Sequence, residues 1–387
     1  MKLSWLVPLY VLAATISSSG CGDPVQRAQE AQRIFTPQKP ILMGAGSRPD
    51  EVTLADVNGD GFPDLLAACT GKAGVCVLLG DGKGRFSAVT GSPFSAGTGV
   101  NLIARGDFNS DQKVDLAVTS HDSNGVFIML GDGRGSFALT LSSPFIGYPF
   151  GKPHNHGLAV GDMNGDGKDD ITMGHQDQGA IAVLLGDGQE KFEPAPRSPF
   201  NLGRGFYPHA LGDVNGDGKL DAVIPDIMGS AIVVALGDGK GGLRPAQSYR
   251  VKPRPFFILL EDLNGDQHLD IAATHDDIHD VDVFLGDGKG DFKPATGSPF
   301  NSGRLGWKLV ASDLDADGHK DLVVGGAGGF TVFSGDGAGG FVAKPESAYA
   351  VDGAAWGISL GDVNRDRKTD VVICDAEKGT ITVYLHK

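Results

Sequence analysis

Seven short strings in this chain set oxygen-bearing side chains at alternate positions, a spacing that suits a hard metal cation. The first reads DVNGDGFPD, from Asp56 to Asp64. In such a string, positions 1, 3 and 5 place three side-chain oxygens on one side of a tight loop. Glycine at position 6 permits the sharp turn, position 7 offers a backbone carbonyl, and aspartate at position 9 closes the cage. Every donor is a hard oxygen, which suits Ca²⁺ better than zinc or copper. The side-chain donors are Asp56, Asn58, Asp60 and Asp64 in the first string, and Asp107, Asn109, Asp111 and Asp115 in the second. The third offers Asp162, Asn164, Asp166 and Asp170, and the fourth Asp213, Asn215, Asp217 and Asp221. The fifth offers Asp262, Asn264, Asp266 and Asp270, the sixth Asp313, Asp315, Asp317 and Asp321, and the seventh Asp362, Asn364, Asp366 and Asp370. The position-7 carbonyls belong to Phe62, Lys113, Lys168, Lys219, His268, His319 and Lys368. Up to seven Ca²⁺ ions are expected. Three sites stand apart, because Ser110 and Gln112 alter the second string, Gln267 the fifth, and Arg365 and Arg367 the seventh.

A helical calcium loop shares the first half of this string, but it needs glutamate at position 12 between two helices. Position 12 of the first string is Ala67, and the flanks alternate like strands. The strings recur at spacings of 51, 55, 51, 49, 51 and 49 residues. About fifty residues holding four strands is the size of one propeller blade. An apolar segment precedes each string (GLAVGD before Asp162) and another follows it (DLLAAC, DAVIPD). A third (IAVLLG, VDVFLG) runs into a tight Gly-Asp-Gly turn, a strong hairpin signal. A fourth opens on Phe86, Phe137, Phe192, Phe292 or Phe341, with Leu243 in the fourth repeat. The last repeat stops after its third segment. Its missing strand is found at the front, where Phe35 lies 21 residues before Asp56, just as Phe86 lies 21 before Asp107. The reading is an all-β, seven-bladed β-propeller over residues 33–387, with four antiparallel strands per blade and an N-terminal strand closing the last blade. Closure removes two unpaired sheet edges.

If the aspartate strings join strands one and two, the opposite face is built from the strand 2–3 turns and the inter-blade connections. Connection length varies there. The path from Phe137 to Asp162 takes 25 residues and contains YPFGKPHNH, whereas Leu243 to Asp262 takes 19. Variable loops on a rigid scaffold are the usual place for binding. Six residues before each string stand Asp50, Asn101, His156, Tyr207, Phe256, Trp307 and Trp356. Thirteen residues after each string begins stand Cys69, Ser120, His175, Asp226, His275, Gly326 and Asp375. Both rings are expected around the mouth of the central channel, with His156, Tyr207, Trp307, Trp356, His175, Asp226 and His275 as candidate ligand contacts. Such aromatics beside His and Asp can stack on and hydrogen-bond a sugar or peptide, or they can simply plug the channel.

The enzyme signals are thin. Gly357–Gly361 spells GxSxG, but that nucleophile pattern needs a strand–turn–helix elbow, and here it falls inside an inner strand. The chain has no HExxH pair and no phosphate-binding loop. His154, His156, His175 and His275 are open to a metal or acid–base role. Lys152, His154, His156, Arg204 and His209 keep a polysaccharide lyase as the alternative to a non-catalytic module that binds a glycan or protein.

The net charge of −15 argues against nucleic acid as a partner. Much of it sits at the ligand positions, where seven divalent ions would nearly cancel it. An apolar content of 41% supports a packed core and excludes disorder. Residues 1–21, MKLSWLVPLYVLAATISSSGC, run from a short positive start through an apolar stretch to small residues, the order of an export signal. Ser-Ser-Gly-Cys resembles a bacterial lipoprotein cleavage box with Ser18 where leucine is usual. That resemblance implies a lipidated Cys21 that anchors the chain at the outer membrane or cell surface, the alternative being an ordinary secretory signal cut nearby; residues 22–32 are polar and read as a tether, and a monomer is expected. Cys69 and Cys76 flank a hairpin turn, as a disulfide or as two buried thiols, and Cys374 has no evident partner.

The DxNxDGxxD loops followed by strings such as IAVLLGDGQEKF resemble the FG-GAP/VCBS repeats shared by integrin α propellers and many bacterial surface proteins. The resemblance covers residues 33–387 and implies a propeller with calcium loops on its bottom face. It does not fix a function, because the same repeats serve adhesion, lectin and enzyme proteins.

Overall fold

The computed structural model describes residues 33–149 and 151–387, so the expected export signal and tether lie outside the described residues. Seven antiparallel sheets follow one another along the chain. The first is ordered Pro49–Ala55, Asp64–Cys69, Gly74–Gly80, Phe86–Ala88, and each later blade repeats that meander. In the sixth blade the second and third strands run on as one 15-residue segment, Asp321–Gly335.

The pattern of each strand follows from its place. The second strand of every blade is sandwiched between neighbouring blades and buried along its length, so it reads as a continuous apolar run. The first strand lines the axial channel and keeps half-exposed residues. The short fourth strand is the outer edge, where an aromatic anchor is followed by two exposed residues. The core is therefore seven inter-blade layers. Val57 from the first aspartate loop, for example, packs with Leu116, Val118 and Met129 of the second blade.

The ring closes as the sequence implies. Phe35 pairs with His386, Thr36 with Leu385 and Pro37 with Tyr384. Ile41 and Leu42 extend the pairing to Ile381 and Thr380. Tyr349 of the sixth blade latches this strand, its hydroxyl accepting the N–H groups of Ile34 (3.1 Å) and Phe35 (3.2 Å). The protein is a seven-bladed β-propeller. Cys69 and Cys76 are joined as a disulfide, and Cys374 is free and buried.

Candidate functional site

The seven aspartate loops keep one backbone shape. In each, the position-1 aspartate accepts the position-6 N–H, from Gly61, Gly167, Gly218 and Gly318 where glycine stands and from Gln112, Gln267 and Arg367 where it does not. In each, the position-7 N–H is tied to the position-5 carboxylate, as Phe62 is to Asp60 at 2.8 Å and Lys368 to Asp366 at 2.8 Å. Ser110, Gln112, Gln267, Arg365 and Arg367 all take left-handed φ, between 60° and 69°. Non-glycine residues do so at a cost of about 1 kcal/mol each. The departures seen in the sequence thus strain the loop without changing its donors. The Arg365 guanidinium lies 5.0 Å over the Phe62 ring of the first blade rather than in its own loop. In the second, third and fourth loops the position-7 lysine reaches the position-5 carboxylate, with Lys113 2.8 Å from Asp111.

The position-9 aspartate is a structural clamp as well as a candidate ligand. Asp64 accepts Val57 N–H (2.9 Å) on one oxygen and Gly80 N–H (2.8 Å) on the other, tying its loop to the end of the third strand. The other six blades repeat the clamp, through to Asp370 with Val363 and His386. Burial pushes Asp115, Asp170, Asp270 and Asp370 up to about 6, and the loop carboxylates beside each add to the rise. Each oxygen retains a lone pair for a cation, which would relieve that repulsion. The sixth loop gives the most direct test of fit. Carboxylate oxygens of Asp313, Asp315 and Asp317 lie within 4.8 Å of one another, and Asp313 Oδ1 is buried without a hydrogen-bond partner. This hard-oxygen set fits a divalent ion of the calcium type. The clamp gives a prediction of its own. Asp170→Ala leaves the buried Met163 and Gly186 N–H groups without acceptors, at a cost of about 2–5 kcal/mol. In urea unfolding the loss persists under chelator, which a purely ligating role would not produce.

On the opposite face, one pocket of about 520 Å³ is lined by Asp50, Asn101, His156, Tyr207, Phe256, Trp307 and Trp356 together, the whole first ring read from the repeat register. The local reason is a β-bulge. Register slips at Asp50, Asn101, His156 and Trp307, and around Phe256, so these residues leave the ladder at the start of the inner strand. A bulge re-aims its side chain, here toward the mouth. Trp307 and Trp356 stack at 4.2 Å, and Tyr207 meets His156 at 4.8 Å and Phe256 at 4.3 Å. Glu51, Phe257 and Lys308 line both this pocket and the wider channel of about 930 Å³ on the loop side. The Lys308–Glu51 ion pair (2.8 Å), with the ammonium 4.5 Å over Phe257, therefore forms the floor between them.

The second ring behaves differently from expectation. His175, Asp226 and His275 are buried and do not line the pocket. They end the second strand, one layer out from the channel, and the connection entering the same blade folds over them. His175 Nε2 donates to Lys152 O (3.0 Å), His275 Nδ1 donates to Pro253 O (2.8 Å), and Asp226 accepts Arg204 N–H (3.1 Å). Ser120 and Asp375 hold Thr98 and Ala354 in the same way. The ring pins connections. His121, one residue past Ser120, does line the pocket. The register reading stopped one position short of it. Ser359 of the GxSxG string lies on the inner strand Gly357–Gly361 beside the lower channel, with no elbow.

His209, weighed above as a lyase residue, lines the lower channel and bonds Thr172 Oγ1 at 2.7 Å. Burial pushes its pKa down to about 4. The folded state thus binds a proton less readily than the unfolded chain, so this group's contribution to stability is whole above pH 6.5 and falls away as pH drops toward 4. The loss amounts to roughly 3 kcal/mol. His209→Gln, which takes up no proton, flattens the stability profile over that window relative to wild type. The buried position-9 aspartates pull the other way in both proteins, so the difference between the two urea titrations isolates His209.

Fold and loops together define a class: a propeller of repeats, each carrying an aspartate-rich loop between its first two strands. The FG-GAP-like repeat model matches residues 56–118, 107–173, 162–224, 262–324 and 313–373, more than half of the chain, and the protein belongs to that family. No curated protein matches the sequence. Among solved structures, BBS1N in complex with ARL6DN is similar at 12% identity and TM-score 0.63, over 92% of this chain and 98% of that one. An Agrocybe aegerita lectin that recognises non-reducing terminal N-acetylglucosamine is similar at 19% identity and TM-score 0.54, over 89% and 86%. Virginiamycin B lyase of Staphylococcus aureus is similar at 12% identity and TM-score 0.58, over 91% and 100%. At these identities the likeness is one of fold.

Proposed function

We propose that this protein is a calcium-loaded, non-catalytic binding module that takes a glycan or protein partner at the channel mouth. The observation that carries this reading is the convergence of all seven first-ring side chains on one pocket, where Tyr207, Phe256, Trp307 and Trp356 bring aromatic faces together. Aromatic faces beside a few polar groups suit a sugar ring or a peptide side chain. A lectin among the structurally similar proteins supports the sugar. Calcium in the aspartate loops stiffens the far face and fixes the blades that carry the pocket. Residues 1–21 export the chain and Cys21 anchors it by lipid at the cell surface. The Cys69–Cys76 disulfide supports an oxidising compartment.

The test is a glycan array and a peptide pull-down, each run with calcium and with chelator, on wild type and on Trp307→Ala. Retention that needs calcium and falls at least tenfold in Trp307→Ala supports the module. Release of unsaturated ends from an acidic polysaccharide would instead establish the lyase alternative. Binding indifferent to Trp307, Trp356 and Tyr207 would move the site elsewhere.

A further inference from the structure

Three imidazoles gather on the rim of the mouth. His121 follows the second strand of blade two, His154 ends the long connection into blade three, and His156 opens that blade's inner strand. Their ring centroids are 4.5 Å apart for His121–His156, 4.8 Å for His154–His156 and 6.4 Å for His121–His154. We propose that His121, His154 and His156 form a site for a borderline transition-metal ion such as Zn²⁺, on the face opposite the aspartate loops. An imidazole nitrogen about 2.1 Å from Zn²⁺ puts its ring centroid about 3.2 Å from the ion, so two coordinating rings have centroids about 4.5–5.2 Å apart. Two of the three pairs already meet that spacing. The rings now meet edge to face and their donor nitrogens do not yet converge, so binding turns His154, whose side chain is 33% exposed, with the more exposed Asp177 following it.

Two further observations point to a ligand here. His156 Nε2 is buried and has no hydrogen-bond partner, an arrangement native structures rarely leave unexplained. His154 Nδ1 lies 2.9 Å from Asp177 Oδ2. A carboxylate on one ring nitrogen fixes the tautomer and leaves the other nitrogen free to bind metal, the usual outer support of zinc histidines. Asp50 and Asp122 beside His121, with Asp177, supply charge to balance a dication. Nitrogen donors select against Ca²⁺, so the two faces take different ions. This inference stands apart from the identity of the mouth's partner.

The experiment is calorimetric titration of the calcium-saturated protein with ZnCl₂, paired with Co²⁺ absorption spectra. The expected result is one zinc per chain and a visible Co²⁺ band. His121→Ala, His154→Ala and His156→Ala each weaken zinc at least tenfold, and Asp177→Asn weakens it by about 10–100-fold. His279→Ala, an exposed histidine away from the cluster, leaves it unchanged. Thermal melts establish which variants fold, and the half-exposed His154→Ala decides if the buried position does not tolerate change. No zinc uptake, or uptake that survives His121→Ala and His154→Ala, overturns the site.

Discussion

Chelating calcium lowers the unfolding midpoint of this protein by about 10 °C or more. The loops are where the blades are stapled together. Gly135 of blade two donates to the carbonyl of Val57 in the first loop (3.1 Å), and Glu190 of blade three donates to Phe108 in the second (3.0 Å). Gly84 of blade one donates to Val363 in the seventh loop (2.9 Å), so the stapling runs across the ring closure. An ion that stiffens one loop therefore stiffens two blades. A site at one hundred times its Kd contributes about 2.7 kcal/mol, and three such sites about 8 kcal/mol. Without the ions, each loop holds three or more carboxylates around one small volume, and the buried position-9 group bears the repulsion. The check is scanning calorimetry in calcium and in chelator, with calcium counted per chain. Asp315→Asn with Asp317→Asn removes one equivalent and part of the shift. A stoichiometry near zero, with equal midpoints in both buffers, would falsify the metal reading of the loops.

The fold was legible because its signals are periodic. Seven strings at near-constant spacing, with Asp-Gly turns and aromatic anchors in phase, leave little freedom in strand number or order. The first ring was legible for the same reason: Asp50 through Trp356 share one register, and in five of the seven blades a bulge recurs with it. The second ring shares a register too, yet it was misplaced. Sequence spacing locates a residue along its strand, but not under the segment that folds back over it. His175 and His275 end the second strand beneath such a segment, whereas His156 opens the inner strand at the mouth. The departures in the loops leave the backbone shape of the loop intact. Gln112, Gln267, Arg365 and Arg367 stand at positions 4 and 6, whose backbone conformation matters and whose side chains are not donors. His121 went unnoticed because it belongs to a turn, where the repeat register ends.

The ring's seam is the next most sensitive point, and Phe35→Ala costs about 3–5 kcal/mol there. Phe35 is 2% exposed and meets Tyr349 at 5.7 Å, His386 at 5.2 Å and Phe330 at 6.5 Å. Its strand, with the Ile41–Leu42 segment, covers the Thr380–His386 edge of blade seven. Removing the side chain leaves a cavity between blades six and seven. Removing residues 33–42 altogether leaves an open edge, which recruits strands from other copies. Two companion variants make the comparison specific. Leu42→Ala lies on the same segment but is 79% exposed, and it changes stability by about 0.5 kcal/mol or less. Tyr349→Phe takes the acceptor from two N–H groups of the closing strand and costs about 1–2 kcal/mol. Urea unfolding ranks the three, and size-exclusion chromatography of the truncated chain shows self-association. If Phe35→Ala is no more harmful than Leu42→Ala, and the truncated chain stays monomeric, the first strand does not hold the ring shut.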